Sequence, residues 1–94
     1  MTAKVYVGQH MTLTLDANIT LTAATTLELR YFKPDSDTEV TGLTASASGT
    51  SASADLTPTI LDTAGIYRFY VYAVIASKIL IGATYKLEVF EVGL

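Results

Sequence analysis

Leu61-Asp62-Thr63-Ala64-Gly65-Ile66-Tyr67-Arg68-Phe69-Tyr70-Val71-Tyr72-Ala73-Val74 is the stretch on which the fold turns. Asp62 and Gly65 are turn formers, and the residues after them are almost all β-branched or aromatic. Tyr67 stands two residues past the glycine, at the mouth of that run. A tyrosine so placed can bury its ring while its hydroxyl returns to the backbone of the turn just passed, the tyrosine corner of two-sheet sandwiches. Alternation assigns Tyr67, Phe69, Val71, Ala73 and Ile75 to one face of a long strand. Arg68, Tyr70 and Tyr72 fall on the other.

Beyond that strand, a tight turn near Ser77-Lys78 leads to a return strand in which Ile79, Ile81, Ala83, Tyr85, Leu87 and Val89 alternate. Before it, Leu56 to Asp62 reads as a crossing loop, with Leu56, Ile60 and Leu61 capping the core from one end. The Ala/Ser/Thr-rich segment Ser46 to Ala54 is either a hairpin turning at Ser48-Gly49 or a mobile loop. Glu39 to Ala47 is a weaker strand around Val40, Leu43 and Ala45. Leu27, Leu29 and Tyr31 alternate with Glu28, Arg30 and Phe32, then stop at Lys33-Pro34-Asp35-Ser36-Asp37, where proline suits the second turn position. Met11, Leu13 and Leu15 alternate with Thr12, Thr14 and Asp16, Asp16-Ala17-Asn18 breaks that strand, and Val5 and Val7 mark a short first strand.

The period is two throughout and no helical period appears. About seven short strands, with turn signals every 8–12 residues or so, predict an all-β fold: an immunoglobulin-like antiparallel two-sheet β-sandwich. No linker or repeat divides residues 1–94, so one domain is expected.

Half of the residues are hydrophobic and 16% are charged, which supports a real core and argues against disorder. There is no cysteine, so the sandwich must hold without an inter-sheet disulfide. The formal net charge is −3 and the six basic residues are scattered, which makes nucleic acid a poor partner. The first residues lack the apolar core of a signal peptide, so synthesis in the cytoplasm is expected. The longest uncharged apolar run, Phe69 to Ala76, falls far short of the ~20 residues of a membrane span.

Chemistry-bearing patterns are sparse. His10 is the only histidine and has no partners for a nucleophilic triad, so it reads as an exposed polar residue. Asp35, Asp37 and Glu39 alternate like the start of a calcium loop, but Val40 stands where such a loop needs glycine. A solvated turn opening a strand explains them as well, and Asp62 could join them only if two loops meet at one end of the sandwich. Thr12 and Thr14 read as a solvated strand face, and Lys86 with Glu88 as another or as a cross-strand ion pair. The glycines form no phosphate-binding pattern. No catalytic residue, cofactor or metal ligand is therefore assigned. Arg68, Tyr70 and Tyr72 have instead the composition of a protein contact surface, against the alternative that a neighbouring strand or a chain end covers them. The tail Phe90-Glu91-Val92-Gly93-Leu94 stays apolar to its last residue, which makes Phe90, Val92 and Leu94 further contact candidates.

Three segments taken together, Leu27 to Asp35, Leu61 to Tyr67 and Gly82 to Val89, carry a resemblance that spans roughly residues 10 to 90. They pair a Tyr-x-Lys-Pro-Asp turn with a Leu-x-x-Ala-Gly-x-Tyr corner and a closing strand. The chain resembles the immunoglobulin-like N-terminal domain of the baseplate upper proteins of tailed phages. It departs at Ser36, where that family usually has glycine, and at Leu43, where it usually has an aromatic residue. The resemblance implies a non-enzymatic structural or assembly protein of a phage or prophage virion, in the tail, baseplate or neck. Its partners would be other virion proteins and further copies of itself, through side chains or edge strands. The alternative is a small ligand- or carbohydrate-binding immunoglobulin-like module of a bacterial surface protein, working through loops at one end.

Overall fold

Every regular element of the computed structural model, which describes residues 5–82 and 84–92, is a β-strand. The strands are β1 (Val5–Tyr6), β2 (Met11–Asp16), β3 (Thr26–Phe32), β4 (Glu39–Val40), β5 (Ser46–Ser48), β6 (Ser51–Leu56), β7 (Gly65–Ile75), β8 (Lys78–Ile81) and β9 (Tyr85–Phe90). They form a six-stranded sheet, in the order β1-β9-β7-β3-β4 with β8 also on β7, and a three-stranded sheet, β2-β6-β5. All pairings are antiparallel except β1 with β9.

The inner faces share one core. Leu13 and Leu15 of β2 and Ala52, Ala54 and Leu56 of β6 meet Leu29 and Tyr31 of β3, Phe69, Val71 and Ala73 of β7, and Leu87 and Val89 of β9. Strict alternation in β2, β6 and β7 lets each strand bury one row and expose the other. Leu21, in the β2–β3 connection, is 1% exposed and plugs the same core, its N–H held by the Gly49 carbonyl at 2.9 Å. Leu56 and Leu61 are fully buried and Ile60 packs beside them, so the crossing loop caps the core as its sequence predicts.

Two predicted strands are broken, which raises the number of strands from about seven to nine. In the first, Val40 pairs with Tyr31, but Thr44 bridges Glu28, one residue out of that register. The extra residue is a bulge at Thr41-Gly42, where Gly42 takes a φ of 93°. It explains why the apolar positions run 40, 43, 45, since only an inserted residue puts all three on the core side. The chain then leaves β3 and enters the other sheet as β5. Here the Ala/Ser/Thr segment is a hairpin: Ser48 pairs with Ser51 around Gly49-Thr50, one residue later than expected.

The second break overturns a predicted facing. Ile81 pairs with Tyr72, whereas Tyr85 pairs with Phe69, a one-residue slip between β8 and β9. A one-residue slip sends a strand's side chains to the opposite face. Leu87 and Val89 are buried as predicted, but Ile79 and Ile81 lie on the outer face, 60% and 65% exposed. Ala83 and Leu94, which the sequence reading also placed, lie outside the described residues.

Candidate functional site

The tyrosine corner expected at Tyr67 is formed. Tyr67 is fully buried, its hydroxyl donates to the Ile60 carbonyl at 2.9 Å and accepts from the Thr63 N–H at 3.1 Å. Its ring stacks near Phe69 (centroids 6.0 Å apart) and lies tilted to Tyr31 (6.4 Å). Two loops meet at this end. The Lys33 ammonium contacts both Asp62 carboxylate oxygens, at 2.9 and 3.0 Å. Pro34 lies against Gly65, where an added Cβ would stand 2.7 Å from the proline Cβ and the backbone φ is 131°. Glycine is therefore demanded twice, by close approach and by backbone conformation.

The ion pair sets the electrostatics of this end. Asp62 is held below the usual carboxylate range by the Lys33 hydrogen bond and then by the Thr63 hydroxyl. Lys33 is raised by the same bond. Burial raises the Tyr31 hydroxyl behind them. The loops thus do converge, but Asp62 faces a lysine rather than Asp35 and Asp37. Among the described residues, no three His, Cys, Asp or Glu side chains converge on a metal-sized site. Lys33, Asp35, Asp37, Arg68 and Lys86 border an open cleft of about 440 Å³. His10 is exposed beside a second concavity with Asp55, whose carboxylate accepts from the Thr12 hydroxyl at 2.9 Å.

Arg68, Tyr70 and Tyr72 lie together on the outer face of β7, away from the core. Two cation–π contacts organise that face. The Arg30 guanidinium sits 3.5 Å from the Tyr72 ring centre and donates to Glu28 at 3.0 Å. Arg68 lies 4.7 Å from the Phe32 ring centre and donates to the Ser36 carbonyl at 3.1 Å. These contacts fix side chains that would otherwise lose much rotamer freedom on meeting a partner. Tyr70 faces Arg30 across the β3–β7 pair, and Ile81 and Ile79 stand opposite Tyr72 and Val74. Lys86 stands opposite Arg68 and Glu88 opposite Ile66, with no ion pair between Lys86 and Glu88 among the described residues.

The small sheet is different on its outer side. Thr12 bonds Asp55, and Thr14 and Ser53 share a hydroxyl contact at 2.8 Å, so its cross-strand polar groups satisfy each other. The apolar and aromatic groups concentrate on the large sheet. Of the tail residues, Phe90 closes β9 with its ring 6.3 Å from Tyr6, Val92 is 75% exposed, and Leu94 is not described.

The sequence reading missed Arg30 and Phe32, whose outward alternation from Leu29 and Tyr31 was visible, and Ile79 and Ile81, whose outward facing was not. No known protein family, curated protein or solved structure matches this chain. No helix among the described residues is long and apolar enough to cross a membrane.

Proposed function

We propose that this chain is a non-enzymatic assembly module of a phage or prophage virion, with an immunoglobulin-like sandwich that docks to neighbouring proteins through the outer face of its large sheet. The observation that carries the contact reading is the contrast between the two outer faces. The small sheet pairs its hydroxyls internally, whereas the large sheet turns Tyr70, Tyr72, Ile79, Ile81 and two ring-stacked arginines outward. Tyrosine and arginine on a preordered sheet are the usual anchors of protein interfaces.

The immunoglobulin-like reading draws support from strand order. β9-β7-β3 matches the G-F-C core of one sheet, β2-β6-β5 matches B-E-D of the other, and Tyr67 forms its corner at the start of the strand equivalent to F. The virion reading rests on the resemblance. Its support here is that the Lys-Pro-Asp turn and the Ala-Gly-x-Tyr corner lock together through Lys33–Asp62 and Pro34–Gly65.

The test is made on particles from the source culture, purified by density gradient and probed with antibody to this chain. Co-sedimentation with intact particles, weakened when the gene carries Tyr70→Ala with Tyr72→Ala, is the expected result. Particles free of the chain would end the virion reading.

A further inference from the structure

We infer that the β8 edge is a self-pairing site: two copies of this chain join β8 to β8 antiparallel across a twofold axis, Ile79 of one copy opposite Ile81 of the other. The inference rests on reading the chain as an interaction module and specifies one of its contacts.

The backbone geometry fixes the register. Ile75 and Lys78 flank a two-residue loop and close the β7–β8 hairpin. In such a hairpin, alternate residues of the second strand turn their N–H and C=O groups toward the first. The Gly82 N–H donates to Val71 at 3.0 Å, and the Val74 carbonyl accepts from Thr25 on the opposite side of β7. Both contacts fit Lys78, Leu80 and Gly82 facing β7. The free edge then presents the N–H and C=O groups of Ile79 and Ile81, and no described strand pairs with it.

Only a β-strand satisfies such a row of donors and acceptors. Of the twofold registers, the one placing Ile79 opposite Ile81 uses both residues of each copy, giving four hydrogen bonds. It also aligns the outer faces. Tyr72 and Ile81 of one copy continue into Ile79 and Val74 of the second, and the twofold repeats that row. All four isoleucines, each more than half exposed in the single chain, then cover one another. The only charge on β8, Lys78, falls opposite Gly82 of the second copy, so no like charges meet. A four-residue edge buries well under the roughly 1,200 Å² of a standard stable interface. The pairing should therefore depend on concentration in solution and strengthen where an assembly holds copies side by side.

The chain has no cysteine, so one engineered thiol reads the register directly. In the proposed pairing Leu80 meets its own copy on the twofold as a non-hydrogen-bonded pair, with Cα atoms ~4.5 Å apart, within disulfide reach. Ile79 lies two residues away from its own copy, beyond that reach. Under diamide, L80C should give a covalent dimer and I79C should not. Light scattering of the parent chain should show a mass rising from 10.0 kDa toward twice that value with concentration. I81K, placed at an already exposed position, should hold it at the monomer value with an unchanged far-UV spectrum. Efficient I79C cross-linking, or dimers that ignore both L80C and I81K, would overturn the inference while leaving an interaction module with another contact. A strict monomer with no L80C cross-link would overturn it too, and the particle experiment would still decide the virion reading.

Discussion

Tyr67 does two jobs with one side chain. Its ring fills the core, and its hydroxyl ties the incoming loop at Ile60 and Thr63. Tyr67→Phe keeps the ring and removes both bonds, leaving a part-buried carbonyl and N–H without that partner. Urea unfolding should show a loss of about 1–3 kcal/mol with an unchanged slope; no loss would mean that water serves the loop equally well. The Lys33–Asp62 pair beside it is a smaller matter, because both side chains are partly exposed, at 32% and 47%. Its sign is nevertheless definite. Asp62 is lowered below 3.8 in the folded chain, so its contribution is complete above that value and lost as pH falls through the folded value. Lys33 is raised above 10.5, so its contribution holds below that pH and is lost as pH rises through the folded value. Asp62→Asn should therefore cost less than ~1 kcal/mol at neutral pH and flatten the acid limb of a stability–pH profile. An unchanged acid limb would show that Asp62 contributes nothing to it. The tyrosine was legible because the corner is local, a turn and a ring two residues apart. The ion pair was not, because 29 residues separate its partners and only the meeting of two loops joins them.

At the scale of elements, legibility follows register. β2, β3 and β7 could be read from alternation because β2 holds one register with β6 along its whole length, and β3 holds one with β7 along its own. The return strand misled because parity in sequence predicts facing only while register holds. Ile79, Ile81, Leu87 and Val89 share parity, yet the slip between β8 and β9 divides them between two faces. The bulge in front of β5 shows the converse, since the irregular spacing of Val40, Leu43 and Ala45 carried the signal of an inserted residue. The β7–β8 hairpin offers a test of turn chemistry. Ala76 and Ser77 both adopt positive φ, 52° and 66°, as a type I′ loop requires. L-residues other than asparagine and glycine occupy that region at a cost of about 1–2 kcal/mol each. Replacing the pair by Asn-Gly should raise stability by roughly 1 kcal/mol, after the greater freedom of glycine in the unfolded chain is set against the gain. A fall in the urea midpoint would show that the loop is not type I′.

For the whole molecule, the proposed division of the large sheet into a core face and a contact face can be tested at neighbouring residues of β7. Phe69 is fully buried, 5.1 Å from the Tyr31 ring and 6.0 Å from that of Tyr67. Tyr70, the next residue, points the other way, toward Arg30 on the outer face. A chain of this length is stable by roughly 5–14 kcal/mol. Phe69→Ala removes a ring from the middle of the core and should cost about 3–5 kcal/mol, a large share of the total. Tyr70→Ala removes a ring of similar size from a surface and should cost less than about 1 kcal/mol. With no disulfide to hold a damaged core, the first variant should melt far below the parent, while the second should melt close to it. If Tyr70→Ala falls as far as Phe69→Ala, the outer tyrosines belong to the fold and the large sheet has no face free for a partner. If the two separate as expected, a stable monomer spends an aromatic side chain where folding does not need it, and loss of particle association by the Tyr70 and Tyr72 variants can then be read as loss of a contact.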